Sequence, residues 1–414
     1  MRQETIILAA PLKDRTEHRL AKHIRPYFVV NTLWDQNFYK PLQEIFSRVI
    51  FFDYPERISE VGVKGANEEI IELVRKEHAK YVLWIGAKYE FRESTFSIIR
   101  REGSTVIGWF LDDEFRFDNY SRWWIPYLDY CVTHDMGAVP KYRALGARVI
   151  LTPPCYGIAV ERDWSKIEEK YDVSFVGAKK ADREQYINEL GKRKILIHLF
   201  GKGWGGYISL EEMIEIFKTS KINLNFTGAT LGNKKIGTKA RIFEVCLAGG
   251  FLLTEYLPGI ESYFEIDKEI VCFKNADEMI DKISYYLSHD EERRAIAQAG
   301  WKRATSEYTP FHMLCRVFDE IERDVAVKGK VSHPPESKMP RAVRQGFSAY
   351  YSSWLKAFSL ENYKSLCKDA FVLSISYNPL NIGAWCYYLA SFLPYPLRSG
   401  AYKLGRLGYH AVKR

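Results

Sequence analysis

A strand, a loop and the start of a helix follow one another in residues 223–254, which read Asn223-Leu-Asn-Phe-Thr-Gly228, then a connecting loop, then Gly237-Thr-Lys-Ala-Arg-Ile-Phe-Glu-Val-Cys-Leu-Ala-Gly-Gly-Phe-Leu-Leu-Thr254. We expect Thr238 to cap the helix, so that Lys239 and Arg241 lie in its first turn, where open backbone N–H groups and the helix dipole favour anions. Glu244 follows Arg241 by three residues and projects on nearly the same face. The spacing suits a diphosphate beside a ribose, and it suits equally a plain surface ion pair of Arg241 with Glu244.

Short apolar segments alternate with helical patterns on both sides of this stretch. In the first part of the chain we predict strands at 5–10, 48–52, 81–85, 105–111, 127–133 and 148–152, and helices at 66–78, 93–102 and 136–145. In the second part we predict strands at 172–177, 195–200, 222–226, 251–255 and 270–273, and helices at 181–192, 209–219, 238–248, 276–288, 290–303 and 311–326. Such alternation is typical of parallel, doubly wound sheets.

Proline-rich and polar segments of the chain predict its domain boundaries. A Pro-Pro pair at 153–154 and the polar stretch 158–170 form a hinge, and a second linker at 327–340 is rich in proline. We therefore expect an α/β protein with a first Rossmann-like domain at 1–153, a second Rossmann-like domain at 154–326 and a basic helical extension at 341–414. Ligands of doubly wound sheets bind beyond the carboxyl ends of the strands, so the two domains are expected to face a ligand-binding cleft.

The composition is that of a globular protein of 414 residues with 47% hydrophobic residues. No apolar run approaches the ~20 residues that cross a bilayer, and the start Met-Arg-Gln-Glu-Thr lacks the apolar core of a signal peptide, which predicts a cytoplasmic protein. The seven cysteines are scattered without a Cys-x-x-Cys pair, which argues against a disulfide framework or a structural zinc.

The net charge of +8 is concentrated at the C-terminus. Residues 331–414 contain eleven Lys/Arg and three acidic residues, so this tail carries the whole excess. Its aromatic residues, such as Trp354 and Trp385, either mark a membrane-surface helix with basic flanks or pack a helical appendage against the first domain. A neutral body and the lack of a recognised motif argue against nucleic acid as a partner.

Several segments, taken in order, resemble the CgeB-type spore-maturation glycosyltransferases, which belong to the group-1 transferases of the GT-B fold. They are Val173-Ser-Phe-Val-Gly177, Phe200-Gly-Lys-Gly-Trp204, Ser220-Lys-Ile-Asn-Leu-Asn225, Arg241-Ile-Phe-Glu244, Gly249-Gly250 and Glu269-Ile-Val-Cys-Phe273. The resemblance covers about 172–318 well and the first domain loosely. It implies transfer of a hexosyl or related sugar from a nucleoside diphosphate sugar to an acceptor hydroxyl, in the assembly of cell-surface glycans or glycolipids.

The resemblance also implies roles for residues of the second domain. Glu244 would bind the ribose hydroxyls, while Arg241 and Lys239 would neutralise the diphosphate. The other implied donor contacts are Gly177 and Arg183 near the phosphates, Gly201, Gly203 and Trp204 near the base or ribose, and Asn225 and Thr227 near the base or a phosphate. The alternatives are turn glycines, a core tryptophan and loop side chains that satisfy their own backbone.

One position departs from the wider superfamily. Many retaining GT-B enzymes carry a second glutamate, separated from the ribose-binding one by seven intervening residues, and Ile236 stands at that position here. The donor sugar and the choice between retention and inversion are therefore left open.

The acceptor side is predicted from residues that follow strands of the first domain. Asp112, Asp113 and His134 are candidates for the base that deprotonates an acceptor hydroxyl. The alternatives are an acidic loop that caps the next turn and a helix cap at His134-Asp135. We expect no metal and no other cofactor, because the basic diphosphate site stabilises the leaving group itself.

Two other functions stay open at this point. A nucleotide-sugar epimerase or hydrolase would use the same donor site, and a non-catalytic nucleotide-sugar-binding scaffold would bind without turnover. The expected partners are the nucleotide sugar, a glycan or lipid-linked acceptor and an anionic membrane at the inner face of the cell membrane, contacted through 341–414.

Overall fold

The computed structural model of the protein describes residues 1–11, 34–86, 88–206, 208–228, 237–328 and 339–393. The chain divides into two compact units. The first comprises residues 1–35, 42–150 and 320–414, and the second comprises residues 36–41 and 151–319. The C-terminal extension, which we expected as a separate region, thus belongs to the first unit. Position 236, where many relatives have a second glutamate, lies outside the described residues.

The first unit contains a six-stranded sheet in the order β2-β1-β3-β4-β5-β6. Its strands are β1 (Arg2–Ala9), β2 (Phe46–Phe52), β3 (Tyr81–Gly86), β4 (Thr105–Phe110), β5 (Tyr130–Thr133) and β6 (Val149–Leu151). The pairings of β1 with β2 and β3, of β3 with β4, and of β4 with β5 are parallel. All six residues of β3 are buried, as in a central strand covered on both faces.

The helices of this part of the chain flank the sheet. They are α1 (Lys40–Ile45), α2 (Tyr54–Glu77), α3 (Glu93–Arg101), α4 (Asp113–Arg116), α5 (Arg122–Trp124) and α6 (Val139–Ala144), with a π-helical turn at Phe117–Ser121. Helix α2 begins earlier than the predicted 66–78, because the chain continues across a kink at Gly62, whose φ of +77° suits a glycine.

The second unit contains a five-stranded sheet in the order β11-β10-β9-β7-β8. Its strands are β7 (Tyr171–Val176), β8 (His198–Phe200), β9 (Ser220–Asn225), β10 (Leu252–Glu255) and β11 (Val271–Phe273), and each pairing is parallel. The helices are α7 (Ala181–Lys192), α8 (Leu210–Thr219), α9 (Ala240–Leu247), α10 (Ala276–Ser288), α11 (Asp290–Glu307) and α12 (Pro310–Lys328), of which α12 runs on into the first unit. The predicted fold class, α/β with two Rossmann-like sheets and a helical C-terminal region, is confirmed.

The C-terminal extension consists of α13 (Arg341–Leu360), α14 (Lys364–Tyr377) and α15 (Ile382–Ala390). Trp354 is 1% exposed and shares the core of the first unit, and Phe347 packs against Tyr89 and Tyr377 with ring centroids 4.5 Å apart. Of the two interpretations left open by the sequence, packing against the first unit therefore holds for the aromatic residues of α13. Within the described ranges, none of the helices combines the length and the apolar character required to span a membrane.

Candidate functional site

The second sheet reverses its strand order between β7 and β9, and this is the point where ligands of doubly wound sheets bind. Gly177 directly follows β7, while Asn225 ends β9 and Thr227 lies two residues further on. After β9 and its loop, α9 begins at Ala240 and carries Arg241 and Glu244. The residues that we predicted from separate motifs are thus brought to the carboxyl edge of one sheet.

Arg241 and Glu244 form an ion pair that is largely buried. The guanidinium Nη1 lies 2.7 Å from Glu244 Oε2, and the side chains are 20% and 8% exposed. The guanidinium also lies 2.9 Å from the sulfur of Met213 and 4.9 Å from the ring centroid of Phe217. The two residues thus form the ion pair that the spacing allowed, but in a partly desolvated environment, where charges interact more strongly than at a surface. Contacts of either residue with a donor stay a prediction.

A backbone segment packs closely on the other side of Glu244. Gly157 has a φ of +120°, and a Cβ there would lie 3.2 Å from Glu244 Cγ. The Gly157 N–H donates to Asn37 Oδ1 at 3.0 Å, which fixes this segment. The carboxylate is thus held by its surroundings before any ligand arrives.

The start of α9 corrects one prediction. The N-cap is Lys239, with extended φ of −101° and ψ of 139°, and Thr238 lies one residue before it. Thr238 is therefore not the cap, and in the described part of the chain no side chain caps this helix through a hydrogen bond. The Ile242 N–H of the first turn donates to Lys239 O at 3.1 Å. Binding of an anion by the N–H groups that precede it stays a prediction.

The loops after β7 and β8 are in close backbone contact. The Gly177 N–H donates to Phe200 O at 2.9 Å, and the Lys179 N–H donates to Lys202 O at 2.8 Å. Gly201 has a φ of +109°, and a Cβ on it would lie 2.7 Å from Gly177 O; a Cβ on Gly203, with φ of +88°, would lie 2.7 Å from Lys179 Cβ. These contacts support the alternative reading of Gly201 and Gly203 as turn glycines, and their part in donor binding stays a prediction.

Substitution of Gly201 tests how much the positive φ and the close contact with Gly177 O each contribute to stability. We expect Gly201→Ala to lower the free energy of unfolding by about 2 kcal/mol, from the positive φ together with the contact with Gly177 O. Gly206→Ala is the matched control, because Gly206 has a φ of +107° but open space around it. Equal losses in chemical denaturation of the two variants would contradict the importance of the close contact.

Two further predicted residues sit beside these loops. Arg183 donates to Ala178 O at 2.7 Å and lies over the Phe175 ring, so it supports the loop after β7. Trp204 is half-buried, and the Lys179 ammonium lies 5.0 Å from its ring centroid while it pairs with Glu184 at 2.8 Å. Contacts of Arg183 and Trp204 with a donor remain predictions.

Glu255, which the sequence analysis missed, organises the end of β9. Its Oε2 accepts from the backbone N–H and the hydroxyl of Thr227 at 2.9 and 3.0 Å, and its Oε1 accepts from the Tyr186 hydroxyl at 3.1 Å. Asn225 donates to the Thr254 hydroxyl at 2.9 Å. Asn225 and Thr227 are thus bonded within the protein. In the sequence, only the position of Glu255 at the end of the strand next to β9 could have indicated this role.

In the first unit, Asp113 lies in the interior. It is 3% exposed, and its carboxylate accepts from the hydroxyls of Ser121, Thr133 and Tyr142 at 2.6, 2.7 and 2.9 Å. Burial raises the pKa of Asp113, and the three hydroxyl donors oppose this rise. The arrangement joins the loop after β4 to β5 and α6. It favours a positioning role, and the predicted role as base stays untested.

Asp112 and His134 are also near strand ends. Asp112 is exposed and has a φ of +61° just before α4. His134 Nε2 lies 3.1 Å from Trp109 Nε1. Because an indole nitrogen only donates, we assign Nε2 as the acceptor and the proton to Nδ1. Any deprotonation of an acceptor hydroxyl by Nε2 would first require this hydrogen bond to break.

A second residue that sequence reasoning missed follows β3. Glu90 is 1% exposed, and among the described residues neither of its carboxylate oxygens has a hydrogen-bond partner. Burial raises the pKa of Glu90 to about 7, against the opposing effects of nearby backbone N–H groups and of the charges of Arg116 and Lys88. Burial, the largest effect, also lowers the pKa of Lys88. A buried acid thus adjoins two cations beyond the carboxyl end of a central strand.

The family comparison matches the second unit. A model described as glycosyl transferase-like matches residues 183–319, which begin in α7 and end in α12. Residues 183–319 are therefore similar in sequence to glycosyl transferase-like proteins. The chain is also similar to the spore protein CgeB of Bacillus subtilis (strain 168), with 22% identity over 246 residues, 52% of this chain and 72% of that protein. The predicted resemblance to the CgeB-type glycosyltransferases is confirmed, and sugar transfer is the class of activity that these matches support.

Several solved structures are also similar to this chain. The structure of Anabaena Alr3699/HepE in complex with UDP and glucose has a TM-score of 0.47 and 9% identity, covering 78% of this chain and all of that one. A glycosyltransferase from Rickettsia africae ESF-5 has a TM-score of 0.45 and 11% identity, covering 79% of this chain and all of that one.

Proposed function

We propose that the protein transfers a hexosyl or related sugar from a nucleoside diphosphate sugar to an acceptor hydroxyl, in the assembly of a cell-surface glycan or glycolipid. The observation that carries the proposal is the largely buried Arg241–Glu244 pair in the first turns of α9, a helix that no side chain of the described residues caps. This pair stands within the segment that matches the glycosyl transferase-like family model.

The proposed roles follow from charge and geometry. Glu244 accepts hydrogen bonds from the two ribose hydroxyls with the lone pairs that Arg241 does not use. The Arg241 guanidinium, the Lys239 ammonium and the first-turn N–H groups of α9 neutralise the diphosphate as negative charge develops on the leaving group. The sugar–phosphate bond breaks while the acceptor oxygen forms the new glycosidic bond and loses its proton to a base. The chemistry needs no metal in this proposal.

The acceptor side of the proposal rests on the first unit. Asp113 fixes the loop that carries Asp112, and His134 stands at the end of the neighbouring strand. We propose Asp112 or His134 as the group that receives the acceptor proton and Asp113 as a positioning residue. The acceptor is a glycan or a lipid-linked saccharide presented at the inner face of the membrane, which the extension 341–414 contacts.

Product analysis tests this function. The purified chain is incubated with nucleoside diphosphate sugars, with and without saccharide acceptors and with and without EDTA, and nucleotide and sugar products are separated. Transfer requires that nucleoside diphosphate release rises with acceptor and that a new glycoside appears. Free sugar or an epimer without acceptor would indicate a hydrolase or epimerase, and nucleotide binding without any turnover would indicate a scaffold. Loss of transfer with EDTA would contradict metal independence.

A further inference from the structure

Helix α15 exposes a row of large apolar side chains. Ile382, Trp385 and Leu389 are 48%, 45% and 62% exposed and recur at intervals of three and four residues, so they share one helix face. Phe392, which follows the helix, is 66% exposed, and Leu380, which precedes it, is 86% exposed. We call these five residues the α15 face.

The opposite side of α15 is firmly packed. Ala384 and Ala390 are buried, and the Tyr388 ring stacks on Phe371 with centroids 4.1 Å apart. Trp385 of the α15 face is fixed at its edge, because its ring packs edge-on against Phe371 at 4.8 Å and its Nε1 donates to Pro379 O at 3.0 Å. The helix is therefore anchored on the first unit, and the α15 face cannot turn inward without breaking these contacts.

The charge pattern of the sequence before and after the α15 face indicates what covers this face. Between Asp369 and Arg398 the sequence has no charged residue, and from Arg398 to the end it has five Lys/Arg and no Asp or Glu. An apolar helix face followed by a purely basic segment complements an anionic lipid surface, because the apolar side chains enter the acyl boundary and the cations attract the headgroups. A second copy fits less well, since a symmetric contact through this face would bring two basic segments together.

We propose that the α15 face is a membrane-contacting surface that lies in the interface of an anionic bilayer, with Leu389 and Phe392 inserted and the basic residues from 398 onward supplying electrostatic attraction. The inference rests on the proposed function for the location of the acceptor. It narrows the membrane contact that we expected from 341–414 to the α15 face and the basic residues after it, because the aromatic residues of α13 are buried in the core.

Vesicle flotation of the full chain tests the proposal. Phosphatidylcholine vesicles with and without phosphatidylglycerol are compared for the wild type, Leu389→Ser/Phe392→Ser and the control Leu196→Ser/Val325→Ser, whose side chains are 70% and 46% exposed elsewhere. We expect the wild type and the control to float with the anionic vesicles only. We expect the α15 variant to bind these vesicles at least about tenfold more weakly than the wild type. Replacing the five basic residues from 398 onward by Gln is expected to abolish the preference for anionic lipid.

Several results would overturn the proposal. They are failure of the wild type to bind anionic vesicles, undiminished binding of the α15 variant, or a dimer that this variant dissociates without any vesicle binding by the wild type. Thermal unfolding checks that both variants fold. Thermal shifts with nucleotide sugars, measured on the same proteins, separate the two claims, because the α15 variant is expected to retain any donor binding of the wild type.

Discussion

Glu244→Ala is expected to bind its nucleoside diphosphate sugar about 100-fold more weakly than the wild type. The variant loses an acceptor for two ribose hydroxyls, and hydrogen bonds to a charged group contribute about 1.5 kcal/mol each, or about 3 kcal/mol together. It also leaves the Arg241 guanidinium without the carboxylate that now lies 2.7 Å from it. Isothermal titration of wild type and variant with the same donor measures the difference.

The controls for Glu244 address folding and charge. Glu244→Gln keeps the side-chain volume and is expected to weaken donor binding by a similar order while it disturbs the packing less. Glu189→Ala removes another carboxylate from an i,i+3 pair on a helix of the same unit, with Lys192 at 2.6 Å, but this pair is exposed. We expect donor binding of Glu189→Ala to equal that of the wild type. Unchanged affinity in both Glu244 variants would contradict the ribose assignment.

Glu90→Gln is expected to remove a strong pH dependence of stability. The folded-state pKa of Glu90 is raised to about 7 from an ordinary value of 4.5. As the pH rises, the unfolded chain therefore loses this proton at a lower pH than the folded chain does. Between these two values the folded state binds more protons, and stability therefore falls as the pH rises. The whole effect amounts to about 3 kcal/mol of unfolding free energy between pH 4 and pH 8.

Urea unfolding at several pH values measures this contribution. The difference in stability between Glu90→Gln and wild type is expected to rise by about 3 kcal/mol in favour of the variant from pH 4 to pH 8. Any constant cost of the buried amide cancels in this comparison. Glu189→Gln is the control, since an exposed carboxylate has no such burial to lose. A pH-independent difference between Glu90→Gln and wild type would contradict the buried, unpartnered carboxylate.

Much of the fold could be predicted from the sequence because parallel strands that are buried on both faces read as continuous apolar runs. The predicted ends of strands and helices were less accurate where tertiary contacts, and not the local pattern, decide where an element ends. The predicted strand 195–200 pairs only over His198–Phe200, because β8 has a single neighbour at the edge of the sheet. The N-cap is Lys239 and not Thr238, because the backbone enters the helix one residue later than the side-chain preference for a cap indicates.

The candidate site was predictable where its residues are close in sequence. The spacing of Arg241 and Glu244 reports their common face, but their burial depends on Met213, Phe217 and Gly157, which are distant in the chain. Glu90 and Glu255 carry no motif, and their environments exist only after the strands are assembled. The burial of Trp354 likewise required the core of the first unit, which no local pattern in 341–414 describes.

Donor binding itself tests the central claim most directly. Thermal unfolding of the wild-type chain is followed with UDP, GDP, ADP and CMP sugars, and the screen is repeated on Glu244→Ala. We expect at least one nucleotide sugar to raise the Tm of the wild type and to raise that of Glu244→Ala much less at the same concentration, because a ligand stabilises the folded state according to its affinity. If no nucleotide sugar shifts the wild type, or if the same donor shifts Glu244→Ala equally, the account of a donor site at the start of α9 is contradicted.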